Sequence, residues 1–168
     1  IKDEMDHYVG NTIFTQDTLK RFVEIIEYRK HFLDSLNCKY YLVIVPIKAS
    51  IYPEYLPFSK RMADQNTLTD QIVSELREYP DINLIDLRGK LIDHKEEERL
   101  FHKTDNHWNE YGGYIAYRYI MERISHDFPE FKSYDISKFE IDTVETEGKV
   151  LTKLMGIPGG ITEQEVIC

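Results

Sequence analysis

The densest cluster of reactive side chains in this sequence is Phe101-His102-Lys103-Thr104-Asp105-Asn106-His107-Trp108-Asn109. Asp105 and His107 stand two residues apart, and in an extended turn such residues can point the same way. A carboxylate so placed can hold one imidazole nitrogen and raise the basicity of the other. An acid–base pair of this kind needs a nucleophile, usually serine, from elsewhere in the fold. The same stretch admits a metal instead. His102, Asp105 and His107, with His94 as a distant fourth, are donor types that suit zinc or iron. The spacing H-x-x-D-x-H matches no strong metal signature, and no stoichiometric metal is expected. A third reading makes the segment a surface loop leading into a helix cap. Trp108, the only tryptophan, can wall a pocket or stack on a sugar. It can equally be the hydrophobic staple of the following helix.

The elements that would carry this loop follow from periodicity. From Thr15, Leu19, Phe22, Val23, Ile26, Leu33 and Leu36 recur at three- and four-residue spacing, which predicts a long helix stopping near Asn37. Asp17 falls in its first turn, where the helix dipole favours an acid. Tyr40–Val45 is apolar throughout and ends at Pro46, which reads as a strand buried on both faces. Residues 47–65 read as an aromatic, proline-rich loop that must pack on something. Lys48 follows the strand end, where open α/β sheets place their sites. It can hydrogen-bond an acidic sugar or hold the loop. Tyr52 and Tyr55 offer sugar-stacking faces, with aromatic–proline packing as the plainer account. Lys48, Tyr52 and Trp108 are thus the candidate substrate contacts.

Thr67 with Asp70 approximates a capping box for a helix running to Tyr79, and Ile82–Leu87 is a second strand. Residues 90–99 read as a short solvated helix. Asn109 can cap a third long helix, Glu110–Ile124, although Gly112 and Gly113 cost it roughly 2 kcal/mol relative to alanine. Close packing on the sheet is the simplest reason for them. Phe139, Ile141 and Thr143 alternate as a short strand, and Pro158-Gly159-Gly160 reads as a break. The helix–strand–loop–helix–strand order predicts an α/β domain with a mainly parallel sheet.

Composition narrows the partners. The 168 residues carry 21 Lys+Arg against 30 Asp+Glu, a net charge of −9. One domain of that length can bury roughly 70% of its unfolded surface. The basic residues are scattered, which argues against nucleic acid. The acidic balance does not favour broad attraction to a uronate polymer, although local patches can oppose net charge. No apolar run approaches the ~18–20 residues of a membrane helix. Cys38 and Cys168 are too few for a disulfide scaffold, and Cys38 reads as a small core residue near a helix end. The first residue, Ile1, is not a methionine. The chain therefore reads as a piece of a longer one, and an export signal can lie upstream.

Two blocks carry a family resemblance. Thr104-Asp105-Asn106-His107-Trp108-Asn109, followed by Tyr111-Gly112-Gly113-Tyr114 and Ala116-Tyr117, resembles the D-x-H-W segment of the AlgX/AlgJ family. These are SGNH-hydrolase-like proteins associated with O-acetylation of alginate and related exopolysaccharides. Val45-Pro46-Ile47-Lys48 and Tyr52-Pro53-Glu54-Tyr55-Leu56-Pro57 are similar to the family's P-x-K strand end and Y-P-x-x-L-P loop. Ile85-Asp86-Leu87-Arg88 lies between the blocks in the same order. The resemblance spans about residues 12–125, with a weaker tail to Pro158.

It implies one SGNH-like three-layer α/β domain over residues 1–168, incomplete at its C-terminal end. Asp105 and His107 would be the Asp and His of a Ser-His-Asp triad, with no cofactor. The reaction would be transfer of an acetyl group to a polysaccharide, uronate-containing polymers included. An acetyl-donor protein would supply the group outside the cytoplasm. The chain departs from the family at the nucleophile. Ser35, Ser50, Ser59, Ser74, Ser125, Ser133 and Ser137 all lack a G-x-S or G-D-S context. The serine block is therefore expected after residue 168, the 168 residues alone are expected to be inactive, and Ser50 is the alternative nucleophile. A non-catalytic carbohydrate-binding or scaffold domain of the same fold is the rival reading.

Overall fold

A computed structural model describes residues 13–57, 66–157 and 159–167. Part of the 47–65 loop, including Ser59, and also Pro158 and Cys168 lie outside the described residues. The chain divides into two compact units. One draws on residues up to Val45 and on Tyr52–Asp86; the other takes Pro46–Ile51 and the chain from Leu87 onward.

The first unit begins with helix α1, Gln16–Ser35. Thr15 caps it by accepting the Thr18 N–H at 3.2 Å, and Asp17 sits in the first turn. Leu19, Val23 and Ile26 form its buried stripe. The helix ends where Asn37 adopts a left-handed φ of 55°, so that Cys38 N–H reaches back to the Leu33 carbonyl at 2.9 Å. That reversal turns Cys38 outward. It is exposed, not the core residue expected from its type. Leu36 is exposed as well, because the buried stripe ends before the last turn.

Strand β1, Tyr41–Ile44, pairs in parallel with β2, Asn83–Asp86, in the register Tyr41 to Asn83 and Ile44 to Asp86. This is the predicted parallel pairing. Every β1 residue is half-buried, however, not buried on both faces. Among the described residues the sheet has two strands, so each is an edge. Helix α3, Leu68–Arg77, starts at the predicted capping box: Thr67 Oγ1 accepts the Asp70 N–H at 3.1 Å and Asp70 accepts the Thr67 N–H at 3.0 Å. (Helix α2, Lys48–Ile51, belongs to the second unit.) Val23 and Ile26 of α1 close on Leu76 and Ile82 to form the core, with Phe22, Leu42 and Leu84 around it.

The second unit opens with helix α2, Lys48–Ile51, inside the stretch read as loop. Ile51 is fully buried; its carbonyl accepts the Lys95 ammonium at 3.1 Å. Helix α4 covers Arg88–His94, starting two residues before the stretch read as a solvated helix. It anchors itself through Leu91, which is fully buried. Helix α5, Glu110–Ile124, is capped as expected by Asn109, whose Oδ1 accepts the Gly112 N–H at 2.9 Å.

The glycines of α5 differ. A Cβ at Gly112 would meet the Leu100 carbonyl oxygen at 2.1 Å and Trp108 Cβ at 3.2 Å, whereas one at Gly113 would meet nothing within 4 Å. Gly112 therefore makes room for the loop before the helix, not for the sheet. The strand expected around Phe139–Thr143 runs instead over Asp142–Glu147 (β3). After helix α6, Val150–Leu154, it pairs antiparallel with β4, Thr162–Ile167, which periodicity did not reveal. On β4 the buried positions are Glu163 and Glu165, while Thr162 and Gln164 are exposed. Its alternation is that of a strand, but its inner face is acidic.

Candidate active site

Residues 100–109 form a pinned turn within the second unit. Leu100 carbonyl accepts the Asn109 N–H at 3.0 Å, His107 carbonyl accepts the His102 N–H at 3.1 Å, and Phe101 bridges Trp108 across it. At its tip Asp105 Oδ1 accepts the backbone N–H of His107 at 3.0 Å, an Asx-turn contact between residues two apart. The same oxygen lies 2.6 Å from His107 Nδ1. The i, i+2 spacing thus delivers both bonds from one local conformation.

Asp105 is 7% exposed, whereas the His107 side chain is 83% exposed. Burial raises the Asp105 pKa. The hydrogen bonds from the His107 N–H, the His107 ring and the Asn106 N–H outweigh it, and the carboxyl is held below its ordinary range. An ionised carboxylate can only accept, so Nδ1 carries the proton. In the neutral ring the lone pair is then on Nε2, the tautomer a general base requires.

Lys48 does something specific here. Its ammonium donates to three loop carbonyls: His102 at 2.6 Å, Lys103 at 3.1 Å and Asp105 at 3.1 Å. Three donors are all an ammonium has. Of its two readings, loop-holder and sugar ligand, the geometry matches the first. Burial pushes its pKa down, partly opposed by the Glu163 carboxylate.

Trp108 is half-buried at the position before the Asn109 cap. A hydrophobic staple would need an apolar side chain at the fourth helical position. That position is Gly113, so the staple reading falls. Tyr52 belongs to the first unit and is buried. Its ring lies 5.9 Å from that of Tyr55, which is 81% exposed and holds the accessible face.

Several polar residues around the turn gave no sequence signal. Glu163 takes the Thr104 hydroxyl on Oε1 and the Lys103 N–H on Oε2 at 2.6 Å. Arg99 lies 3.6 Å from Glu163 and 3.4 Å from Glu165. His102 Nδ1 approaches Glu165 Oε1 to 2.9 Å. Neither atom has a hydrogen-bond partner among the described residues. Lys149 Nζ lies 3.3 Å from His102 Nε2. His102 therefore faces Glu165 and Lys149, not Asp105 and His107. Among the described residues no group of three or more His, Cys, Asp or Glu could hold a metal ion, and no serine hydroxyl hydrogen-bonds His107.

An α/β chain presenting a carboxylate-held imidazole at a pinned turn fits the class of SGNH hydrolase-like domains. The family described as "SGNH hydrolase-like domain, acetyltransferase AlgX" matches residues 10–161, and the chain belongs to it. It is 30% identical over 84 residues to "Probable alginate O-acetylase AlgJ" of Pseudomonas putida, a match covering 50% of this chain and 22% of that protein. The match thus spans about a fifth of the length of that relative. The structure of Bacillus cereus PatB1 superposes with a TM-score of 0.60 at 18% identity, covering 80% of this chain and 45% of that one. The O-acetyltransferase domain of Pseudomonas putida AlgJ gives 0.58 at 18% identity, covering 96% and 59%. At that identity the two structures establish the shared fold. Among the described residues no helix is long and apolar enough to cross a membrane.

Proposed function

We propose that this chain supplies the acid–base half of a serine-dependent O-acetyltransferase site acting on a polysaccharide outside the cytoplasm. The observation that carries the reading is the 2.6 Å bond between Asp105 and His107 Nδ1, which leaves Nε2 free. His107 takes the proton of a serine hydroxyl as that oxygen attacks the acetyl donor, then returns it to the leaving group. It next deprotonates the sugar hydroxyl that attacks the acetyl-serine ester, and hands that proton to the serine oxygen as the ester C–O bond breaks. Asp105 fixes the tautomer and stabilises the imidazolium formed in each half-reaction. No cofactor enters this scheme. Trp108 is the sugar-stacking candidate beside His107; Lys48 acts through the loop. Family membership and the likeness to an alginate O-acetylase support an exopolysaccharide acceptor, with uronate polymers the first to try and a pathway protein as acetyl donor. Among the described residues no serine hydroxyl meets His107, so the nucleophile is the part of the site that this reading still calls for.

The test is p-nitrophenyl acetate hydrolysis, and acetyl transfer to a uronate oligosaccharide, by these 168 residues and by the longest reading frame containing them. Turnover in the longer chain should vanish with His107→Ala and fall by about 10⁴ with Asp105→Asn, as when a triad base is left in the wrong tautomer. Turnover by the short chain that is lost on Ser50→Ala would relocate the nucleophile. A longer chain that binds oligosaccharide but turns over neither substrate would favour the scaffold reading.

A further inference from the structure

We propose that Glu163, on β4, is a positioning residue for the Asp105–His107 pair, acting through Thr104. Thr104 immediately precedes Asp105, is itself buried, and has every polar group engaged. Its hydroxyl donates to Glu163 Oε1, and its N–H lies 3.3 Å from Glu163 Oε2. Its Oγ1 accepts the Lys149 N–H at 2.8 Å, and its carbonyl accepts the Leu151 N–H at 3.0 Å. The Lys103 N–H also goes to Glu163.

The turn is therefore held by two clamps of opposite polarity. Glu163 gathers its N–H and O–H donors, while Lys48 gathers its carbonyls. With residues 102–105 fixed on both counts, the Cα–Cβ direction of Asp105 is set, and with it the Asx turn that aims His107. The ionised form of Glu163 is the one best suited to accept three donors. Burial opposes this, but the Thr104 hydroxyl and the two backbone donors hold its pKa below the ordinary value. Arg99 faces it at 3.6 Å. Glu165, on the same face of β4, meets the turn at the His102 ring, 2.9 Å from Nδ1, whereas Glu163 takes the donors next to Asp105.

The functional consequence rests on the acyl-transfer reading above; the geometry does not. The experiment uses the 168-residue chain without any nucleophile. Long-range ¹H–¹⁵N correlation spectra report the His107 tautomer at about pH 8.5, roughly two units above the ordinary imidazole value. The wild type should show the Nδ1–H form. Glu163→Gln places an amide donor against donors, and Thr104→Val deletes the hydroxyl at constant shape; each should lose the Nδ1–H signature. Thr104→Ser should restore it. In a longer, active chain the first two variants should lower kcat at least tenfold with KM unchanged.

Circular dichroism checks folding. Variants that fold and keep the Nδ1–H form overturn the proposal. Collapse of both variants overturns it too, by reducing Glu163 to a folding contact. A correct tautomer pattern with no acyl transfer in any chain would instead leave this inference standing and sink the reading it serves.

Discussion

Gly112 and Gly113 are adjacent in one helix, yet alanine should act on them in opposite directions. Each Gly→Ala change in a helix interior gains about 1 kcal/mol from propensity. At Gly113 nothing opposes that gain, since no atom lies within 4 Å of the new Cβ. The expected result is a stabilisation of about 1 kcal/mol. At Gly112 the Cβ would sit 2.1 Å from the Leu100 carbonyl oxygen and 3.0 Å from its carbon. Backbone atoms cannot swing aside as a flexible side chain does. The neighbouring chain must retreat by about 1 Å, at the upper end of the 1–3 kcal/mol range for overpacking.

The net expectation for Gly112→Ala is a loss of about 2 kcal/mol, so the two variants should differ by about 3 kcal/mol. In melting temperature that loss amounts to roughly 4–8 °C for a chain of this size. The displaced Leu100 carbonyl is also the one that accepts the Asn109 N–H at the base of the turn. Gly112→Ala should therefore disturb the His107 tautomer, whereas Gly113→Ala should not. Thermal and urea unfolding by circular dichroism, with the ¹H–¹⁵N spectrum alongside, make the comparison. Equal stabilisation of both variants would refute the reasoning, because the turn could not then lie against α5 at Gly112.

Four further outcomes are expected. Lys48→Met strips three carbonyls of their donor and should cost about 1–3 kcal/mol in urea unfolding, with faster exchange of the His102 amide. The folded pKa values of Asp105 and Glu163 are depressed below ordinary values of 3.8 and 4.5. Their contribution to stability is present in full above those values and lost as pH falls below them through the folded pKa; unfolding free energy measured from pH about 6 to about 3 should decline accordingly. Cys38 should react quickly with a thiol reagent in the folded state, and Cys38→Ser should remove one fast equivalent. Protein purified without chelator should carry no stoichiometric zinc or iron by elemental analysis; one tight equivalent would reopen the metal reading of His102.

Residue order by itself determined the features that are satisfied within a few residues of themselves. The Thr15 cap, the Thr67–Asp70 box and the Asn109 cap each close over three residues, and Asp105–His107 closes over two. Side-chain type and spacing suffice there, because the chain has no room to choose another partner. The parallel β1–β2 pair was legible too, through two apolar runs separated by a helix. Tertiary structure alone decided the rest. The Lys48 ammonium meets the carbonyl of a residue 54 positions away at 2.6 Å, a partner that nothing near Lys48 in sequence announces. Strand β4 was missed because the periodicity that finds strands looks for apolar residues on the inner face, and here that face carries Glu163 and Glu165. A buried carboxylate is tolerable only where donors and cations meet it. Those are the Thr104 hydroxyl and the Lys103 and Thr104 N–H groups for Glu163, and the Arg99 charge for both. These partners lie about sixty residues away, and only folding brings them there.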